Sequence, residues 1–102
     1  MRVSWSASAR ADVRGIRRYI AQDSPFYAQQ FCERLIATVE KLVEHPRLGR
    51  LVPEAEGVGV EVRELVFRDY RILYLVTDEP IQILAVIHGA RDLLGLERKP
   101  WE

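Results

Sequence analysis

The sequence predicts an α+β domain in which a helical hairpin packs on one face of a mainly antiparallel, four-stranded sheet. Three observations support this fold class. Apolar residues recur at helical spacing through the first half of the chain, and only a short "DSP" break interrupts them. The second half consists of runs rich in Ile, Leu and Val that short turns separate. The predicted order is strand, helix, helix and three strands, within one domain that spans residues 1–102.

The beginning of the chain is predicted to form a short strand followed by an amphipathic helix. In "RVSW", Val3 and Trp5 alternate as on one face of a strand. The segment "SARADVRGIRRYIAQD" then carries an apolar stripe at helical spacing: Ala9, Val13, Ile16, Tyr19 and Ile20. The helix is expected to end near Asp23, because Ser24 is a suitable N-cap and Pro25 a suitable first residue for another helix.

The second helix is predicted to run from about Pro25 to Glu44. Its apolar stripe comprises Ala28, Phe31, Cys32, Leu35, Val39, Leu42 and Val43. The break between the two helices is so short that they should fold back on each other as a hairpin. Cys32 is the only cysteine, so no intrachain disulfide forms, and its place on the apolar stripe predicts a buried, inert thiol.

A loop and a β-hairpin are predicted next. The stretch "HPRLGRLVPEAEGVG" is rich in Pro and Gly and is interpreted as a loop from residue 45 to 59. The runs "VEVRELVF" and "YRILYLVT" are joined by Arg68 and Asp69, and a two-residue loop makes them a hairpin. Glu64 and Arg71 then share one side of the sheet and are predicted to pair across the strands. On the other side the register gives three facing pairs: Phe67 with Tyr70, Leu65 with Ile72, and Arg63 with Tyr74.

The last predicted strand is "IQILAVIH", which is apolar on both faces as a central strand should be. It follows the turn "DEP". The closing segment "GARDLLGLERKPWE" is expected to form one helical turn and a loose tail. With both helices on one side, the other face of the sheet is predicted to be left open for a partner.

Length and composition limit the kind of protein. A chain of 102 residues can bury one core but not an enclosed active-site cavity as well, so an exposed groove is the expected functional surface. No apolar run approaches the roughly 18 residues that a membrane span needs, and "MRVSWSASAR" lacks the apolar centre of a signal peptide. These features predict a cytoplasmic protein that is not bound to a membrane.

The basic residues are almost all arginine. Thirteen Arg and two Lys balance 15 acidic residues, which gives a formal net charge of zero. Zero net charge disfavours a general nucleic-acid binder, although a local arginine cluster stays compatible with it. Arginine suits planar, bidentate contacts with carboxylates or phosphates, including carboxylates on a partner protein.

The motifs resemble a known family. The combination "W…A..D…I..YI…SP..A..F…L……L..HP..GR.VPE", followed by "VREL.F.DYRILY" and "I.I..VIHGARD", is similar to the RelE/ParE superfamily of toxins from bacterial type II toxin–antitoxin modules, also called plasmid-stabilisation proteins. The likeness extends from Trp5 to Asp92. It implies the fold described above and a cognate antitoxin that wraps the toxin and silences it. The sequence also predicts that this antitoxin contributes an acidic, amphipathic segment that crosses the sheet and the helical hairpin.

Two activities occur in this superfamily, and the resemblance leaves both open. RelE-like members cut mRNA on the ribosome, whereas ParE-like members bind DNA gyrase and trap it on DNA. The RelE-like pattern has an arginine after the last strand, which Arg91 matches. It also has an arginine shortly before the hairpin turn and lysines in the preceding loop. Here Val66 occupies that strand position, and no lysine occurs between Lys41 and Lys99. The sequence therefore favours the ParE-like activity, with ribosome-dependent mRNA cleavage as the alternative and a decayed, antitoxin-binding module as a third interpretation.

Four residues are candidates for catalysis if the chain is a nuclease: His88, Arg91, Arg63 and Arg71. Cleavage by 2′-hydroxyl attack needs a base, cations around the phosphate and a proton donor. Structural roles compete with each candidate: His88 as a cap of the strand end, Arg91 in an ion pair with Asp92, and Arg71 in a pair with Glu64. The register places Arg63 and Arg71 on opposite faces, so they are not expected to converge. No cofactor and no metal site is predicted.

Overall fold

A computed structural model describes residues 1–102 as two helices and a five-stranded sheet. The strands are β1 (Val3–Trp5), β2 (Arg50–Leu51), β3 (Glu61–Phe67), β4 (Tyr70–Val76) and β5 (Ile81–His88), and the helices are α1 (Ala7–Ala21) and α2 (Pro25–Glu40). The sheet order is β1-β5-β4-β3-β2, with β1 parallel to β5 and the other pairs antiparallel. The predicted α+β class is confirmed, and the predicted elements occur in the predicted order with one further strand, β2, between the helices and the β3–β4 hairpin. No helix combines the length and apolarity needed to cross a membrane.

Side-chain caps set the beginnings of both helices. The Ser6 hydroxyl accepts a hydrogen bond from the Ala9 amide at 2.9 Å, and the Ser24 hydroxyl accepts one from the Tyr27 amide at 3.1 Å. Pro25 is the first residue of α2, as predicted. The prediction of one helix continuing to Glu44 is wrong, because α2 tightens into a 3-10 helix over Lys41–Val43. Such tightening is common in the last turn of a helix.

The predicted β3–β4 register is confirmed at every pair, including Phe67 with Tyr70 and Arg63 with Tyr74. The predicted count of four strands is wrong, because β2 forms within the segment predicted to be a loop. A strand of two residues is too short to show an alternating pattern. Its place depends on Gly49, where an added Cβ would lie 2.3 Å from the backbone oxygen of Glu64.

One core lies between the helical hairpin and the sheet. It is built by residues of both helices and of β3, β4 and β5: Ala9, Phe31, Cys32, Leu35, Val39, Leu42, Leu65, Ile72, Tyr74, Ile81, Ile83 and Val86. The Cys32 thiol is buried there, as predicted, and burial raises its pKa. Both helices therefore cover the same sheet face.

A second core covers the other face of the sheet, so the prediction of an open face is wrong. The segment after β2 contributes Val52 and Ala55, and the end of the chain contributes Leu93, with Leu96 and Trp101 packed beside it. The predicted helical turn in this closing segment is absent, because the chain after β5 forms only turns. The predicted loose tail is instead held by apolar side chains that shield the sheet from water.

Candidate functional site

His88 ends β5 next to Tyr70 of β4. The two residues are directly paired across the strands, and their ring centroids lie 5.5 Å apart at an interplanar angle of 77°. The His88 Nδ1 accepts a hydrogen bond from the Ala90 amide at 3.1 Å. The predicted role as a cap of the strand end is thereby confirmed. Because Nδ1 is an acceptor in this bond, the ring proton belongs on Nε2, which faces no hydrogen-bond partner within the chain.

Arg91 lies beyond the end of β5, in a cleft whose lining does not include His88. It lines a cleft of about 570 Å³ between the start of α1 and the C-terminal segment, together with Asp12, Arg98 and Lys99. The predicted alternative of an Arg91–Asp92 ion pair is wrong, since Asp92 instead accepts a hydrogen bond from the Gly95 amide at 3.1 Å. Such a bond within a turn is the usual use of an aspartate at this spacing.

Asp12 closes the open edge of β5 in this cleft. One of its carboxylate oxygens accepts a hydrogen bond from the Val86 amide at 2.9 Å, beyond the point where β1 stops pairing. Burial raises the pKa of Asp12, and the bond from Val86 and the charge of Arg91 offset part of this effect. Asp12 thus satisfies an edge amide that would otherwise be free to pair with another chain.

Arg71 is held by two carboxylates. Its Nη atoms donate to the two Glu54 oxygens at 2.9 and 2.8 Å, and its Nε donates to the buried carboxylate of Glu64. Glu64 also accepts a hydrogen bond from Arg50 at 2.5 Å. Glu54 and Glu64 raise the pKa of Arg71, and Arg71 lowers the pKa of Glu54. The predicted Arg71–Glu64 pair is confirmed, and it ties β3, β4 and the segment after β2 together.

Arg63 is held on the opposite face of the sheet. Its Nε donates to Glu61 at 2.6 Å, and its Nη1 donates to the backbone oxygen of Gly49 at 2.8 Å. Glu61 also pairs with Arg47, and the two guanidinium groups lower its pKa. Gly49 in turn donates its amide to the Tyr74 hydroxyl at 2.9 Å. Arg63 therefore belongs to a bonded cluster that fixes β2 against β3.

The four predicted candidates do not form one site. Arg63 and Arg71 point to opposite faces, as expected, and each is bonded to carboxylate. Arg91 lines the cleft beside Asp12, and only His88 lies next to another reactive side chain, the Tyr70 phenol. In the described chain no group of three or more His, Cys, Asp or Glu residues is placed to hold a metal ion.

An aromatic cluster surrounds the His88–Tyr70 pair, and the sequence did not predict it as a surface. Phe31 contacts Phe67 and Tyr70, with centroids 5.2 and 5.8 Å apart, and Tyr27 contacts Phe31 at 6.3 Å. Burial raises the pKa of Tyr70, and the neighbouring Tyr19 and Asp69 raise it further. Tyr19 therefore lies close to this cluster.

Tyr19 is not part of the core that its helical spacing predicted. Its side chain is 70% exposed, because it lies at the edge of the apolar stripe and at the last turn of α1. Phe26, in the first turn of α2, is 78% exposed. In the sequence, the exposure of Phe26 is indicated only by its position outside the apolar stripe that contains Ala28 and Phe31.

Comparisons with known proteins agree with this fold. Residues 3–93 match the family model described as the ParE toxin of the type II toxin–antitoxin system parDE. The chain is 39% identical over 90 residues to Toxin RelE2 of Caulobacter vibrioides, covering 87% of this chain and 96% of that protein. A solved structure of a chromosomal ParDE toxin–antitoxin system from P. aeruginosa matches with a TM-score of 0.70 at 23% identity, covering 86% of this chain and 95% of that one. This chain therefore belongs to the ParE toxin family and is a toxin of a type II toxin–antitoxin system.

Proposed function

We propose that this toxin stops growth by binding and poisoning DNA gyrase rather than by cutting mRNA. The observation that carries the proposal is the separation of the cationic candidates. RNA cleavage by 2′-hydroxyl attack requires a base, a proton donor and cations converging on one phosphate. Arg63 and Arg71 instead lie on opposite sheet faces, and Arg91 lies in a separate cleft. The proposed target is cytoplasmic, so the proposal places the toxin in the cytoplasm.

The bonding of Arg71 supports the same conclusion. Both of its Nη atoms are taken by Glu54, and its Nε is taken by Glu64. A guanidinium in such a bidentate pair has little remaining capacity for a phosphate. Releasing it toward RNA would leave the Glu64 carboxylate buried with only Arg50 as a partner, which is costly in a protein interior. Arg71 is therefore better suited to holding the sheet than to holding a substrate.

Ribosome-dependent mRNA cleavage is the second candidate, and one observation favours it. His88 is exposed and lies against the Tyr70 ring, and its Nε2 has no hydrogen-bond partner within the chain. An imidazole beside a phenol supplies two groups that can exchange protons. No Arg or Lys side chain is bonded to His88 or Tyr70, which is why the gyrase proposal is preferred.

The deciding experiment uses two parallel assays of the purified toxin. One measures the supercoiling activity of gyrase and the amount of gyrase trapped on cleaved DNA, and the other measures cleavage of mRNA on programmed ribosomes. We expect trapped gyrase and intact mRNA. Site-specific cleavage of mRNA with unaffected gyrase would reverse the assignment. Growth arrest on expression of the toxin alone, relieved by its antitoxin, verifies that the preparation is active, and normal growth with soluble toxin would contradict both candidates.

A type II toxin has a cognate antitoxin, and its binding segment is proposed to be acidic and amphipathic. The support is the charge of α1, which has four arginines and one carboxylate. Beside it, an open groove of about 310 Å³ is lined by Trp5, Val13 and Ile36, with Arg10 and Arg14 at its sides. Apolar side chains of the segment would fill the groove while its carboxylates meet the guanidinium groups.

The antitoxin proposal is tested by charge reversal. Arg10→Glu with Arg14→Glu should weaken antitoxin binding by more than about tenfold, as expected when like charges face each other at an interface. The matched control is Arg34→Glu, on the exposed side of α2 and away from the lining of this groove. Equal weakening by the control would contradict the assigned position.

A further inference from the structure

Two aromatic side chains are largely exposed at the turn between α1 and α2, beside Tyr27, which is 43% exposed. Phe26 is 78% exposed and Tyr19 is 70% exposed. A single exposed apolar residue needs no explanation, but two rings at one turn are unusual for a surface that faces only water. Neither residue is needed for helix capping, since the hydroxyl of Ser24 supplies the cap of α2.

An aromatic cluster lies beside Tyr19 at this end of the molecule. Tyr27 of the same turn contacts Phe31, which packs edge-on against Phe67 and Tyr70 of the β3–β4 hairpin. Tyr19 lies near enough to Tyr70 to influence its pKa. We refer to Tyr19 and Phe26 at the α1–α2 turn, together with Arg68 at the β3–β4 turn, as the aromatic end.

Arg68 adds a second, independent observation. It has φ of 55°, which makes it the only non-glycine residue of the chain in the left-handed region. Glycine or asparagine is preferred at such a hairpin turn, because a Cβ is strained there. The Arg68 guanidinium lies over the Phe67 ring, 5.7 Å from its centroid, and forms no ion pair within the chain. A strained position occupied by an unpaired cation is typical of a functional surface.

We propose that the aromatic end is the surface by which the toxin holds its protein target. This inference rests on the proposed gyrase function and specifies the contact. The chemistry of the partner follows from the residues: an apolar pocket that receives Phe26, and a carboxylate opposite the unpaired Arg68. Aromatic residues and arginine are the side chains that most often dominate binding energy at protein interfaces.

The charges at this end favour a protein over a nucleic acid. Asp23 and Asp69 are exposed beside the same two turns, where they would repel a phosphate backbone. The chain as a whole has zero net charge, so its net charge adds no long-range attraction to nucleic acid. A mixed rim of Asp and Arg around aromatic residues matches the usual composition of a protein interface.

The test measures the affinity of purified toxin variants for purified gyrase. Phe26→Ala is expected to weaken binding by at least about 30-fold, the size of loss found for a central aromatic anchor, and Tyr19→Ala by about tenfold. The matched control is Leu51→Ala on β2, a residue that is also exposed and lies four pairs along β3 from Phe67. The control should change affinity by less than about threefold, as for an exposed residue outside a contact.

Arg68→Gly separates function from folding. Removing the strained Cβ should raise the thermal midpoint by a few degrees, while gyrase affinity falls by about tenfold because the cation is lost. Arg68→Lys keeps the charge and the strain, so its thermal midpoint should equal that of the wild type and its affinity should lie between the two. A purely structural role for Arg68 would make stability and affinity change in the same direction.

The outcomes are distinguishable. If the wild type does not bind gyrase, the proposed function fails and this inference falls with it. If the wild type binds gyrase and Phe26→Ala binds equally well with unchanged stability, only the inference is overturned. Sedimentation velocity provides a further check, because a wild-type dimer that Phe26→Ala dissociates without loss of gyrase affinity would assign the aromatic end to a second copy of the chain and overturn the inference.

Discussion

The arginines in the middle of the sheet differ from the arginine at the β3–β4 turn in their bonding partners and in their backbone conformation. Arg63 and Arg71 each bond to carboxylate groups of the chain, whereas Arg68, between the same two strands, has no such partner and occupies a strained conformation. In the middle of the sheet, the charges are satisfied before any ligand arrives. At the turn, one cation and two exposed rings are available. The comparison teaches that the partners of an arginine, more than its position in a motif, determine whether it can serve a target.

The largest effect expected from this comparison is the loss of Arg71. Arg71→Ala leaves the buried Glu64 carboxylate with only Arg50 and removes both bonds from Glu54. Breaking a buried ion pair on one side typically costs about 3 to 5 kcal/mol in the free energy of unfolding. We expect Arg71→Ala to unfold at a much lower denaturant concentration, measured by circular dichroism.

The control separates the buried charge from the loss of packing. The double variant Arg71→Met with Glu64→Leu removes both charges, and it should recover a large part of the lost stability, as apolar replacements of buried pairs often do. Arg68→Ala, which removes an unpaired arginine and keeps the Cβ, should change stability by less than about 0.5 kcal/mol. Equal destabilisation by Arg71→Ala and Arg68→Ala would contradict the difference between the two regions.

The element order was predictable because its signals are local. Helical periodicity, the N-cap serines and a two-residue turn each depend on neighbouring residues, and the β3–β4 register follows from them. The Arg71–Glu64 pair was predictable for the same reason, since a fixed register brings the two side chains together. Strand β2 and the closing segment were missed because they depend on distant contacts, such as Leu93 and Trp101 with the second sheet face.

The candidate site was less predictable than the fold. The sequence placed His88 correctly at a strand end, but its neighbour Tyr70 follows from the pairing of two strands, and helical spacing alone does not show that Tyr19 is exposed. One carboxylate partner of Arg71 is Glu54, which lies outside the β3–β4 hairpin, whereas Glu61, the partner of Arg63, lies two residues away on the same strand. A motif lists side chains without their partners, so it does not distinguish a bonded arginine from a free one.

A smaller effect is the acid sensitivity of the paired region. Arginine partners lower the pKa values of Glu54 and Glu61 below the ordinary value of 4.5. A carboxyl group whose pKa is lower in the folded than in the unfolded state stabilises the fold above its unfolded pKa, and this contribution disappears as the pH falls through the folded pKa. We therefore expect the free energy of unfolding to decrease below about pH 4.5, measured by urea titration at a series of pH values.

Two variants sharpen this pH prediction. Glu54→Gln should be less stable than the wild type near neutral pH, and it should lose less stability on acidification. Asp12→Asn should show the opposite pH dependence. Burial raises the pKa of Asp12, so ionisation of this carboxyl destabilises the fold of the wild type as the pH rises through that pKa. The Asn variant should lack this loss of stability. A wild-type stability that stays constant from pH 6 to pH 3 would show that the ion pairs around Glu54 and Glu61 contribute nothing.

The smallest effect is expected for His88→Ala. The imidazole contacts the Tyr70 ring and accepts one local hydrogen bond, and such contacts contribute up to about 1 kcal/mol each to stability. A toxin that acts by binding gyrase through a broad surface has no chemically indispensable residue, so toxicity should fall only a few-fold, in proportion to lost contact or stability. In a nuclease, loss of a general acid or base would reduce the cleavage rate by about 100-fold or more.

His45→Ala is the matched control, since His45 is the other histidine and is also exposed. Growth inhibition and ribosome-bound mRNA cleavage are measured for the wild type and both variants at verified thermal stability. Cleavage by the wild type that vanishes in His88→Ala but persists in His45→Ala would make His88 catalytic, and would move the functional surface from the exposed aromatic side chains to the His88–Tyr70 pair.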